Sequence, residues 1–160
     1  MLVTAAAVVA KSLIPDTGQI LSYTNTFGED HDYTINPPSY TVSANGTVTD
    51  NVTGLVWQQD DNTSRNLGGA TTYCNDLALA GYFDWRLPSV GELLGVVDYG
   101  RSFPAINQMV FPGVKMDWYW TSTTRVESTG TVWGVDFNRG FVVPLVSTEI
   151  LPARCTRGGK

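Results

Sequence analysis

Between residues 39 and 58 the chain alternates apolar and polar positions in short runs broken by turn residues. Asn45-Gly46 sits between the runs 39–43 and 47–50 and predicts a tight hairpin. A second turn, Asn51 to Gly54, leads into a strand over 55–58. The period changes over 69–80. Ala70, Tyr73, Cys74 and Leu77 fall at i, i+3, i+4 and i+7, one face of a helix ending at Gly81. A second helix starts at Ser89, where Ser89-Val90-Gly91-Glu92 has capping-box spacing and Pro88 precedes the cap. Val90, Leu93, Leu94 and Val97 form its apolar stripe, and Tyr99-Gly100 ends it. After residue 115 the period returns to two. It predicts strands over 118–124, 131–137, 140–146 and 150–156, with a turn at Asn138-Arg139-Gly140. Residues 15–46 read as irregular until the hairpin, because Pro15-Asp16-Thr17-Gly18, the 28–32 run and Pro37-Pro38 break any period.

Composition narrows the class. The chain has 160 residues, enough for one good core, and nineteen Thr, sixteen Gly and eighteen aromatics suit a turn-rich β-containing domain. The net charge is -5, and only three of the ten cations are Lys, with no basic run. A nucleic-acid partner is therefore not expected. The single His31 excludes the commonest His-based catalytic and zinc arrangements. No apolar stretch is long enough to span a membrane as a helix. Cys74 and Cys155 lie far apart, outside any metal spacing, and read either as one disulfide or as two buried thiols.

The run Gly81 to Leu94 carries the most specific signal. Trp85-Arg86-Leu87-Pro88, followed by the Ser89–Glu92 box, resembles two related families. One is the formylglycine-generating, sulfatase-modifying enzymes. The closer one is the C-terminal domain of collagen-like adhesins, the Lcl C-terminal family. The order of the other pieces is similar to that second pattern: the 47–57 strand with Trp57, Ala70 to Cys74, Tyr119 to Ser122, Trp133 to Phe137, and Arg154 to Arg157. Even Pro15 to Gln19 and Gly28 to Tyr33 resemble its lead-in. The resemblance implies an α+β, C-type-lectin-like fold: two helices with a small twisted antiparallel sheet and long loops. It also implies a Cys74–Cys155 disulfide, and hence a place outside the cytosol, secreted or at the cell surface.

Trp57, Trp85, Arg86, Leu87, Pro88, Ser89 and Glu92 form the fold signature. Arg86 with Glu92 reads either as a ligand-gripping pair or as a brace for the turn before the helix. Trp57, Trp85 and Trp120 read as core. Trp118 and Trp133 are balanced between core and an exposed platform for a sugar or a protein hot spot. With Arg125 and Arg139 they form the candidate ligand face, and Arg101 is a further cation for the same cluster. Glu29, Asp30 and Asp32 form an acidic knot suited to Ca²⁺ or, more simply, to a solvated turn. Asp60-Asp61-Asn62 reads the same way. No other cofactor is expected. The Asn-x-Ser/Thr sequons at Asn45, Asn51 and Asn62 read as chance matches in a Thr-rich chain.

The leading functional reading is a binding or adhesion module for a glycan or protein, without catalysis. Adhesin relatives bind sulfated polysaccharides, which a net charge of -5 disfavours unless Arg residues cluster. The enzyme relatives need a second reactive thiol near Cys155, which this chain lacks. The rival reading is a structural subunit of a homo-oligomer or filament, and a third, weaker one is an oxygen-dependent modifying enzyme. Residues 1–14 are an apolar arm and 15–160 a single domain. No basic stretch precedes the arm as it would in a signal peptide. The arm is expected to bury against other copies of the chain.

Overall fold

The computed structural model describes residues 14–32, 36–60 and 63–158. The expected arm lies almost wholly outside the described residues. Among the described residues a 3-10 turn at Asp30–Asp32 precedes nine strands and two helices. These are β1 (Tyr40–Ser43), β2 (Thr47–Asp50), β3 (Val56–Gln58), β4 (Ser64–Arg65), α1 (Leu67–Asn75), α2 (Val90–Leu94), β5 (Trp118–Thr124), β6 (Thr131–Asp136), β7 (Phe141–Val146), β8 (Leu151–Pro152) and β9 (Thr156–Arg157). The architecture is α+β, with every pairing antiparallel. The sheets run β1-β2-β3-β9, β4-β8 and β5-β6-β7.

The sheet β5-β6-β7 is the centre, and its two faces bury two clusters. Tyr119, Val135 and Phe137 pack with Leu93 of α2, Val97, Phe111 and Trp57 on one side. Trp120, Val132 and Leu145 pack with Ala70 and Cys74 of α1, Trp85 and Leu151 on the other. Alternation along a strand sends neighbours to opposite faces, so Tyr119 and Trp120 are both fully buried. Gly134 pairs with Trp120 on one side and Val143 on the other. A Cβ there would run into Leu145 Cδ1 and stand 2.8 Å from the Tyr119 carbonyl oxygen. The close approach of strand and side chain at this point requires glycine.

Both helices are shorter than their apolar periods suggest. Asn66 caps α1 by accepting from the Gly69 N–H, and the helix stops at Asn75. Leu79 and Tyr82 then form an antiparallel bridge around Ala80 and Gly81, both at positive φ. That turn takes the last residues of the expected helix. α2 ends at Leu94, yet Val96 and Val97 stay buried in the following turn. The expected strand over 150–156 is split into β8 and β9. Between them the chain crosses from one sheet to another, and Ala153, Arg154 and Cys155 are fully buried. The two-residue β4, which pairs with β8, was not anticipated.

Residues 14–18 are tied to the domain. Asp16 exchanges backbone and side-chain hydrogen bonds with Asn36, and the Tyr99 N–H donates to the Thr17 carbonyl at 2.8 Å. Beyond that anchor Ile20, Leu21, Tyr23 and Phe27 are exposed, as is Ile14 before it.

Candidate functional site

The fold signature braces the domain from within. Trp85, Leu87 and Pro88 are buried, and Trp85 Nε1–H donates to the Leu79 carbonyl. Ser89 caps α2 in a reciprocal box. Its hydroxyl accepts from the Glu92 N–H, and the Glu92 carboxylate accepts from the Ser89 N–H at 2.7 Å. Arg86 grips the same carboxylate through both terminal nitrogens, at 2.9 and 2.7 Å, and also donates to the Gly158 carbonyl. Its backbone pairs with Thr156 in both directions. The Arg86 guanidinium, helped by the Ser89 N–H, holds the Glu92 carboxyl below the usual carboxylate range. With every strong contact spent inside the chain, this pair ties α2 to the β9 segment.

Cys74 on α1 and Cys155 before β9 form a disulfide, with Cα atoms 5.4 Å apart. Neither thiol is free. Of the Trp residues, Trp57, Trp85 and Trp120 are buried, and the Trp120 Nε1–H donates to the Arg65 carbonyl at 2.7 Å. Trp57 Nε1 is buried and finds no partner among the described residues.

The acidic knot serves its own loop. The Glu29 carboxylate accepts from the Tyr23 N–H, and Asp32 accepts from the Gly28 and Glu29 N–H groups. Hydrogen bonds from Thr24 and Tyr23 hold the Glu29 carboxyl down, and the Gly28 and Glu29 N–H groups do the same for Asp32. Asp30 starts the 3-10 turn. Asp61 and Asn62 of the second acidic run lie outside the described residues. Among the described residues no group of three His, Cys, Asp or Glu side chains is placed to hold a metal ion.

The candidate ligand face divides in two. Trp118 is 42% exposed at the start of β5. It shares a face with Phe141 across Asp136, in a Trp118–Asp136–Phe141 register. Arg139 lies in the turn after β6, its guanidinium over the Phe103 ring, and Phe103 and Tyr99 are also exposed. The Phe103 N–H bonds the Asn138 carbonyl, and Gly140 packs against Tyr99. These aromatics therefore gather at one end of the central sheet, joined by Arg101, which is paired to Asp98. Arg125 follows β5 at the other end, and its guanidinium reaches back over Trp133 in the middle of β6, 5.5 Å from the ring centroid. The six residues of β6 span about 17 Å between the two ends. Arg101, Arg125 and Arg139 thus form no single cluster. Phe103, Tyr99 and Phe141 were missed in the sequence because loop and edge positions carry no period that marks them.

What the site and fold define is a small disulfide-bonded α+β domain whose exposed aromatics lie at the ends of its central sheet. The family model of the Lcl C-terminal domain matches residues 46–157, and the chain belongs to that family. The match begins within the β1–β2 hairpin, so β1 and the anchored 14–18 segment lie before it. No curated protein matches the chain.

Proposed function

We propose that this chain is a secreted or surface-displayed binding module, without enzymatic activity, built on a C-type-lectin-like arrangement of two helices around a central antiparallel sheet. The observation that carries the reading is the aromatic end of that sheet. Tyr99, Phe103, Trp118 and Phe141 are all large, exposed and grouped around the β6–β7 turn, with Arg139 over one of the rings. Trp118 and Phe141 are held by the sheet and Tyr99 and Phe103 by the loop bonded to its end, and such rings offer stacking area that suits a sugar or a protein hot spot. Family membership and the disulfide support a setting outside the cytosol. The reading needs no cofactor, no nucleic acid and no membrane span. Among the described residues no helix is long and apolar enough to cross a membrane. The test is binding of the purified protein to a glycan array and to extracellular-matrix proteins. Trp118→Ala with Phe141→Ala should weaken the retained hits at least tenfold without changing the circular dichroism spectrum. Unchanged binding would remove this end from the function.

A second reading rests on a separate observation. Ile14, Ile20, Leu21 and Tyr23 are exposed on the segment that runs past the Asp16–Thr17 anchor toward the Glu29–Asp32 turn. Together with the apolar residues 1–13, this lead-in suits burial against another copy, which makes the chain a structural subunit of a homo-oligomer or filament. Sedimentation of the full chain at increasing concentration tests it. Ile20→Asp with Leu21→Asp should shift the population to monomer, and a chain that is monomeric throughout overturns the reading.

A further inference from the structure

The geometry points to the depression beside the β5–β6 hairpin as a binding site for one carboxylate-bearing sugar residue, gripped by Arg125. The inference rests on the binding-module reading and names a ligand for its second end. The depression has a volume of about 310 Å³ and is lined by Leu67, Thr124–Val126 and Ser128–Val132. That volume lies at the small end of ligand sites and suits one or two sugar rings.

Arg125 is set apart by what its guanidinium lacks. Arg86, Arg101 and Arg157 are paired to Glu92, Asp98 and Asp84. Arg154 donates to the Gln58 and Gln59 carbonyls, and Arg65 to the Thr63 carbonyl. Among the described residues only Arg125 and Arg139 have guanidinium groups whose sole partner is an aromatic ring. Of these two, Arg125 lines the depression. Glu127, two residues on, does not line it.

The frame around Arg125 is rigid. Its N–H donates to the Thr131 carbonyl, the Ser128 N–H to the Arg125 carbonyl, and the Thr131 N–H to the Ser128 carbonyl. The Ser128 and Thr131 hydroxyls bond each other at 2.9 Å, and the Ser147 N–H holds the Gly130 carbonyl. The guanidinium lies over Trp133, 5.5 Å from the ring centroid, and among the described residues its N–H groups donate to no acceptor. A planar carboxylate matches a guanidinium edge with two parallel hydrogen bonds. The hydroxyls of Thr124, Ser128, Thr129 and Thr131 can then meet ring hydroxyls. The next uncommitted guanidinium, Arg139, lies beyond the other end of β6 over the Phe103 ring, and the net charge is -5. That balance repels a long polyanion far more strongly than a single carboxylate.

The test is titration of the full protein with trigalacturonate and with sialyllactose, followed by the Trp133 indole resonance and the 124–132 amides. Each sugar is paired with its methyl ester. At least one free acid should shift these signals, and its ester should bind at least tenfold more weakly. Arg125→Gln should lose a similar factor with an unchanged unfolding temperature, and Arg125→Lys should recover only part of it. The inference is overturned by equal binding of acid and ester, by Arg125→Gln without effect, by no shift with either acid, or by a heparin fragment that binds this site more tightly. If binding persists at the Trp118 and Phe141 end while Arg125 is silent, the module reading stands and this assignment falls. Silence at both ends removes both.

Discussion

Gly134 shows how much of this fold hangs on one missing side chain. It lies where β6 passes beneath Trp120 and Leu145, and an added methyl meets Leu145 Cδ1 and the Tyr119 carbonyl well inside contact distance. A side-chain tip can swing away, but a strand carbonyl cannot without breaking its ladder. Gly134→Ala is therefore expected to destabilise by about 2–3 kcal/mol, the range for overpacking a well-filled core. Chemical denaturation measures it, and a change under about 0.5 kcal/mol, the usual size of a neutral surface substitution, would show that β6 has room to shift. Nothing in the sequence distinguished Gly134 from the turn glycines. Its role comes from Leu145 on the facing strand, eleven positions away.

At the scale of elements, α2 is a five-residue helix that owes its place to its start. The Ser89–Glu92 box closes both ends of the cap, and Arg86 then ties the same carboxylate to the β9 region. Ser89→Ala should cost about 1 kcal/mol and leave ligand binding unchanged. Glu92 adds a pH signature. Its folded pKa is depressed, so its stabilising contribution is present above the unfolded carboxylate value of about 4.3 and is lost as pH falls through the lower folded value. Glu92→Gln should flatten the acid limb of the stability curve below about pH 4, as read from unfolding temperature against pH. An acid limb identical to that of the parent would remove the pair from the stability account. This box was legible in the sequence because capping is a local rule of fixed spacing. The lengths of α1 and α2 were not, since Leu77 and Val97 keep a helical spacing while packing from turns. The break between β8 and β9 was hidden for the same reason. Burial of Arg154 and Cys155 is set by sheets that meet only in three dimensions. Arg125 and Trp133 could be chosen by residue type, but their pairing depends on how the β5–β6 hairpin closes.

Across the whole molecule, the Cys74–Cys155 disulfide closes a loop with a sequence separation of 81 and joins α1 to the segment before β9. Closing a loop of that length contributes roughly 4–5 kcal/mol in the chain-entropy treatment. Replacing both cysteines by Ala should lower unfolding free energy by about that amount, on the same scale. Alkylation of the folded parent without reductant should label no cysteine. Two labelled thiols in folded protein would contradict the bridge. The two-cluster core explains why the pairing matters: β5 and β6 hold Tyr119 and Val135 to one side and Trp120 and Val132 to the other, and the bridge fastens the second cluster to the chain's last strands.

Pro144 sits in the middle of β7, the outer strand of the central sheet, opposite Trp133. A proline is accepted there because its nitrogen faces away from β6. The outward row of donors on this edge is thereby interrupted between Val142 and Val146, both of which expose apolar side chains. A strand arriving from another molecule would find greasy footholds but no continuous ladder to zip onto. The molecule can thus carry sticky residues along that rim at high local crowding without seeding amyloid-like growth, and any ordered polymer it forms has to be joined somewhere else.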